Sequence, residues 1–284
     1  MMELTRADAE IFVPDGKPVD EALSRTTHMG IGAHQDDLEI MAFDGILKCF
    51  HVEGNSFTGV TVTDGSGSPR ADLYLQYTDD MMAGIRCAEQ KKAAVVGDYG
   101  AQALLKFPSK EVKDPACPGP LADLKGLLEA ARPKVVYTHN LADKHDTHVA
   151  VALRVIQAVR ELPAGARPEA LYGCEVWRGL DWMTDSDKVL FDVAPHQNLG
   201  AALMGVFDSQ VCGGKRYDLA TMGRRQANAT FLESHGVDDT AYMAYAMDLS
   251  ALIHDTARDP LALLEEHLDR FRAEVSDRVR KMAG

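Results

Sequence analysis

HMGIGAHQDDLEIMAFDGIL, residues 28–47, joins an apolar run to a tight group of titratable side chains. Residues 28–33 predict a short strand that ends at a polar turn. Beyond the turn, Leu38, Ile40, Met41, Phe43, Ile46 and Leu47 recur with a helical period. His34, Asp36, Asp37 and Glu39 stand at the junction, within six positions. Charged side chains are seldom buried unless paired or bound to a metal, so four polar groups at a strand end need a reason. In open α/β sheets that edge holds the ligand. Gly30 and Gly32 begin a dinucleotide fingerprint, but its third glycine is absent and two carboxylates would repel a pyrophosphate.

The pattern continues outward. Residues 57–63, FTGVTVT, alternate like a strand, and DGSGSPR after them is loop chemistry. An amphipathic helix is predicted over 77–97 and a strand over 101–107. Pro133 closes a helix over 119–131, and KVVYT, 134–138, is a compact strand. A long helix follows over 147–161, then strands over 169–177 and 188–193. This alternation predicts an α/β fold: a mostly parallel sheet with helices on both faces. With no linker or repeat, residues 1–284 are expected to form a single domain, mainly helical from about 195. Near the end, Asp259 and Pro260 form a cap and first-turn pair. Leu261, Leu264, Leu268, Phe271 and Val275 then form a stripe. It fits packing on its own domain, or a homo-oligomer through the C-terminal helices.

A second polar cluster, His145-Asp146-Thr147-His148, lies between KVVYT and the long helix. It is therefore expected at the same sheet edge as the first. Two histidines three apart at a helix start can face one locus. Imidazoles with a carboxylate are a normal zinc set, and three protein ligands plus water is the catalytic pattern.

Composition narrows the partners. The 30 Lys and Arg against 43 Asp and Glu give a net charge of −13, which argues against nucleic acid. No apolar run approaches the roughly 18 residues of a membrane span. MMELTRADAE lacks the features of a signal peptide. Five scattered cysteines without a CxxC pair suit reduced thiols, so a cytoplasmic location is expected.

AHQDDLE resembles the AHPDDxE motif of the PIG-L, or LmbE-like, N-deacetylase family, and KHDTHVAV resembles its HPDHxA motif. Thr63-Asp64-Gly65 matches the family's TDG turn, and Arg86-Cys87-Ala88-Glu89 its R-x-x-E helix. The resemblance spans roughly residues 28–160, with DSQ at 208–210 as a weaker tail motif. It implies a Rossmann-like fold and a zinc-dependent hydrolase that removes an N-acetyl group from an N-acetylglucosamine-type amino sugar or its conjugate. By resemblance His34, Asp37 and His148 hold Zn2+, with Fe2+ or another divalent ion possible. Asp36 is then the general base, and a protonated His145 the second oxyanion donor.

Glu39 either orients His34 or caps the helix. Gln35 replaces the family's Pro, with an effect expected on turn rigidity only. Thr147 stands where the family has its supporting Asp, so Asp146 or Asp143 is left to support His145. Arg70, His139, Asn140 and His235 are candidate substrate contacts, with Trp177 and Trp182 as aromatic walls. The alternatives are an amidase on a thiol–sugar conjugate and a catalytically silent sugar-binding protein.

Overall fold

A computed structural model describes residues 3–284; Met1 and Met2, which open the N-terminal stretch read above, lie outside the described residues. The elements run in the order β1 (Glu10–Phe12), α1 (Val19–Ser24), β2 (His28–Gly32), α2 (Asp37–Met41), α3 (Phe43–Cys49) and β3 (Phe57–Thr63). Next come α4 (Asp79–Val96), β4 (Ala101–Phe107), α5 (Ser109–Lys113), α6 (Gly119–Ala131), β5 (Val135–His139), α7 (Asp146–Arg160) and β6 (Ala170–Cys174). The chain closes with β7 (Lys188–Asp192), α8 (Gln197–Gly205), α9 (Asp208–Val211), α10 (Tyr217–Phe231), β8 (Met243–Asp248), α11 (Ser250–His254) and α12 (Pro260–Ala283).

Among the described residues the strands form one eight-stranded sheet, ordered β1-β4-β3-β2-β5-β6-β8-β7. The central strands β4, β3, β2, β5 and β6 are parallel; β1 pairs antiparallel with β4, and β8 with β6 and β7. Parallel strands buried on both faces need apolar cover on both. On one face Leu124, Leu127, Val151, Val155 and Val159 of α6 and α7 join a core with Met29 and Ile31. On the other, Phe43, Ile46, Ala93 and Leu203 of α3, α4 and α8 join a core with Phe57 and Tyr137. Gly30 lets α2 lie close: a Cβ there would meet Phe57 at 2.8 Å and Leu38 at 3.1 Å.

From β2 the chain passes to β3 and β4 on one side, and later to β5 and β6 on the other. The two polar clusters therefore leave adjacent strands at the point where the strand order reverses, which is where open α/β sheets bind ligands.

After 195 the chain is mainly helical, with one strand, β8, that joins the sheet. Two expectations change. The strand predicted over 169–177 stops at Cys174, where Glu175 turns inward to accept from Leu180 N at 2.7 Å and Asn228 Nδ2 at 2.8 Å. The C-terminal stripe, too, is only partly used. Asp259 does cap α12, accepting from Ala262 N, and Leu263 is buried, but Leu268, Val275 and Val279 are exposed.

Candidate active site

The turn after β2 is built to hold two carboxylates in different surroundings. Asp36 sits in the left-handed region, φ 85°, which non-glycine residues rarely adopt and which Asp tolerates better than most. Helix α4 holds it there. Gln90 Oε1 accepts from Asp36 N at 3.2 Å, and Arg86 donates to Asp36 Oδ2 at 3.1 Å and to Gln35 O. Gln35 does more than set turn stiffness. It is buried, donates to Thr63 O at 3.2 Å, and packs against Gly65, where φ is +72° and a Cβ would come within 2.3 Å of its Oε1. That side chain ties the first motif to the TDG loop.

Asp37 begins α2 and accepts from His34 N at 2.6 Å. Three donor atoms converge beside it. His34 Nδ1 lies 3.1 Å from His148 Nε2 and 3.3 Å from Asp37 Oδ2, and His148 Nε2 lies 3.4 Å from Asp37 Oδ2. Donors about 2.0–2.1 Å from a tetrahedral centre lie about 3.3 Å from one another. The set thus has the spacing that three ligands around one divalent ion would need. Protonation states agree. Burial pushes His148 down to about 4, leaving the neutral imidazole that metals require. Burial works to raise Asp37, but the facing His148 and His139 hold it well below the usual carboxylate range.

His139 also approaches Asp37, at 3.4 Å, but its Nε2 already accepts from Ala33 N at 2.9 Å. It is fully buried and stacks on His148, ring centroids 3.8 Å apart. His139 is therefore a support beneath the His148 ring and is closed off from the pocket. Asn140 is likewise buried, bonding Cys174 O and Ala142 N. Arg70 is spent on Ser66 O and Asp79. His235 is exposed in the segment after α10, away from the pocket lining. None of these four contacts survives as expected, because backbone partners or distance claim each side chain.

The supporting carboxylates are also reassigned. Glu39 is buried and bonded to Tyr99 OH at 2.7 Å and Gln90 Nε2 at 2.8 Å, so it neither orients His34 nor caps α2. Asp146 is exposed. The support comes from Asp143. Its Oδ1 accepts from His145 N at 3.0 Å and lies 3.5 Å from His148 Nδ1, while its Oδ2 accepts from Trp177 N at 3.1 Å.

His145 is the N-cap of α7, and its Nδ1 accepts from Thr147 N at 3.2 Å. That contact needs a lone pair on Nδ1, so the ring is neutral and carries its proton on Nε2. Burial and the neighbouring His34 also lower it. The expectation of a protonated His145 is thereby replaced by a neutral ring with an Nε2–H donor.

Above this floor opens a pocket of about 400 Å³. His34, Asp36, Asp37 and His145 line its base, and Trp177, Gln210, Lys215 and Tyr217 form one part of its wall. Trp182 instead packs against the core. Burial raises the Asp36 carboxyl against the pull of Arg86, and burial with the two aspartates raises the Tyr217 hydroxyl. The tail motif earns its place: Ser209 N and Oγ bond Glu89 at 2.7 and 2.6 Å, and Tyr74 OH bonds Asp208 at 2.6 Å. The R-x-x-E helix thus grips Asp36 with Arg86 and the DSQ segment with Glu89, which brings Gln210 to the pocket. Sequence reasoning had no signal for Lys215 or Tyr217.

Residues 29–159 match a family described as PIG-L, GlcNAc-PI de-N-acetylase. No curated protein matches the chain in sequence. Among solved structures, the N,N'-diacetylchitobiose deacetylase of Pyrococcus horikoshii is similar at 16% identity and TM-score 0.61, over 83% of this chain and 88% of that one. A conserved protein of Thermus thermophilus is similar at 19% and 0.58, over 79% and 94%. A 4-carboxy-2-hydroxymuconate hydratase of Pseudomonas putida is similar at 15% and 0.57, over 79% and 96%. At such identities the likeness shows a shared fold, and two different reactions occur on it.

Proposed function

We propose, on the match of residues 29–159 to the PIG-L family, that this chain is a metal-dependent hydrolase removing the N-acetyl group from an N-acetylglucosamine-type amino sugar or its conjugate. The observation that carries the reading is the triangle of His34, Asp37 and His148 donors, 3.1–3.4 Å on a side, with Asp36 next to it. These three would hold the ion, zinc being the natural choice for such a set. When bound, it supplies a Lewis acid and lowers the pKa of water.

The chain's own groups do the rest. Asp36 Oδ2 is fixed by Arg86, while Oδ1 accepts no hydrogen bond among the described residues. Oδ1 takes the proton of the attacking water and returns it to the departing amine nitrogen. His145 offers Nε2–H to the carbonyl oxygen as negative charge develops there, held in that tautomer by Thr147 N. Trp177 and Tyr217 give the sugar an aromatic wall. An intact base and ligand set argue against a silent binding protein.

Amine release from N-acetylglucosamine, diacetylchitobiose and their phosphates, with metal analysis, tests the reading. About one divalent ion per chain is expected. Asp36→Asn should keep it and lose about 10²- to 10⁴-fold in turnover, whereas Asp37→Ala should empty the site. Full activity after chelation overturns the metal, and the opposite pair of variant phenotypes overturns the role assignment.

A further inference from the structure

Helix α12 is longer than the surface it packs on. Leu263 and His267 are its buried residues, and His267 Nδ1 and Arg270 Nε reach Asp187 at 3.4 and 2.6 Å. Beyond His267 no residue of the helix is buried. Helices in proteins owe most of their stability to a packed apolar face rather than to propensity, so residues 268–283 lack their usual support. An apolar face is nonetheless present. Leu261, Leu264, Leu268, Phe271 and Val275 follow in alternating steps of three and four, the a and d positions of a coiled-coil seam. Leu264 and Phe271 are half-buried, while Leu261, Leu268 and Val275 are exposed. At 3.6 residues per turn the seam lies about 100° around the helix from Leu263 and His267, so a second helix can lie on it without displacing the domain contacts.

The flanking charges point to the occupant. Two such seams run antiparallel, with Leu268 against Phe271 of a second copy and Leu264 against its Val275, set Glu265 of each copy beside Arg272 of the other. Arg278, the polar d position, then lies at the end of the coil opposite Leu261, where its stem covers the leucine and its head stays in water. A parallel pair would instead set Arg278 against Arg278 and His267 beside Arg272, with no opposite charges facing. Glu265 has no cation within 4.0 Å among the described residues, and Arg272 has the exposed Asp269 at 3.0 Å, a pair that is readily exchanged. We propose that α12 is a dimerisation helix, joining two copies of this chain through an antiparallel coil over residues 261–278. The two domains attach at opposite ends of that coil. No residue of α12 lines the active-site pocket, so assembly is read independently of hydrolysis.

Light scattering over a range of concentrations tests this. The wild type should form a dimer or a multiple of dimers. Leu268→Glu with Val275→Glu should halve the mass and leave the near-ultraviolet circular dichroism of the domain unchanged. Glu265→Arg and Arg272→Glu should each weaken self-association about tenfold or more, since each sets like charges together at both symmetry-related points. Mixing these two single variants should restore association, because every facing pair is then opposite in sign, and combining both changes in one chain should do the same. A wild type that stays monomeric at about 1 mM overturns the second copy as occupant and leaves the seam to a different chain. An assembly that survives the Leu268 and Val275 changes also overturns the proposal. Charge variants that associate as the wild type does, or that mixing fails to rescue, overturn the antiparallel pairing.

Discussion

Arg86→Met should be among the most damaging single changes outside the ligand set. The Arg86 side chain is 2% exposed and that of Asp36 5%. Methionine replaces the apolar stem but leaves the Asp36 carboxylate without its cation and Gln35 O without its donor. Removing one partner of a buried pair costs about 3–5 kcal/mol, and an orphaned carbonyl adds about 1–3 kcal/mol. Proton uptake by Asp36 offsets part of this, so a net loss of about 4 kcal/mol is expected. For a chain of this size that lowers the melting temperature by about 8 °C. The assay is circular dichroism melting of metal-free protein, which keeps metal loss out of the result, for Arg86→Met, Asp36→Asn and the double variant. Asp36→Asn removes the charge that the first change strands. The double variant should therefore recover about 1.5–3 kcal/mol relative to the sum of the singles. A melt within about 2 °C of wild type, or an additive cycle, would refute the view that this pair is what holds the base in place.

Three further outcomes are expected. Asp143→Asn weakens the support of His148 and should lower metal affinity about 10- to 100-fold; competition with a chromogenic chelator reads this, and unchanged affinity would remove Asp143 from the site. Gly65→Ala places a methyl 2.3 Å from Gln35 Oε1 at φ +72°, so a loss of about 2 kcal/mol is expected; a wild-type melt would show that the TDG loop yields freely. The third outcome concerns pH. Burial, then Arg270, lower His267 below 6.5 against the pull of Asp187. The folded state therefore binds this proton less well than the unfolded one, and its contribution is complete above pH 6.5 and lost as pH falls below it. Amide protection in residues 260–270, taken relative to the intrinsic exchange rate at each pH, should fall between pH 7 and 5; protection that stays constant would exclude His267 as the cause.

What was legible in the sequence was local. A buried run, a polar turn and a 3.6-residue period identify β2, the Asp36-Asp37 turn and the helices after it, because burial on one face leaves its mark on neighbouring residues. The same holds for β3, β4, β5 and α7, and alternation of such units implies a parallel sheet with both motifs at one edge. Strand β8 escaped because Met243, Ala244, Ala246 and Met247 favour helix, and pairing with β6 and β7 overrides that preference. Strand β1 is three residues long and leaves no period to detect.

Tertiary structure decided which polar side chains face the pocket. His139, Asn140 and Arg70 all stand in suitable places in the sequence, yet each is used by a nearby backbone group. Asp143 took the role open to Asp146 because the loop turns it beneath both His148 and Trp177. The wall of Trp177, Gln210, Lys215 and Tyr217 comes from segments more than a hundred residues beyond the first motif. Periodicity encodes which side of an element is apolar, but not which distant element will cover it. A pocket wall made by such covering is settled only when the chain packs.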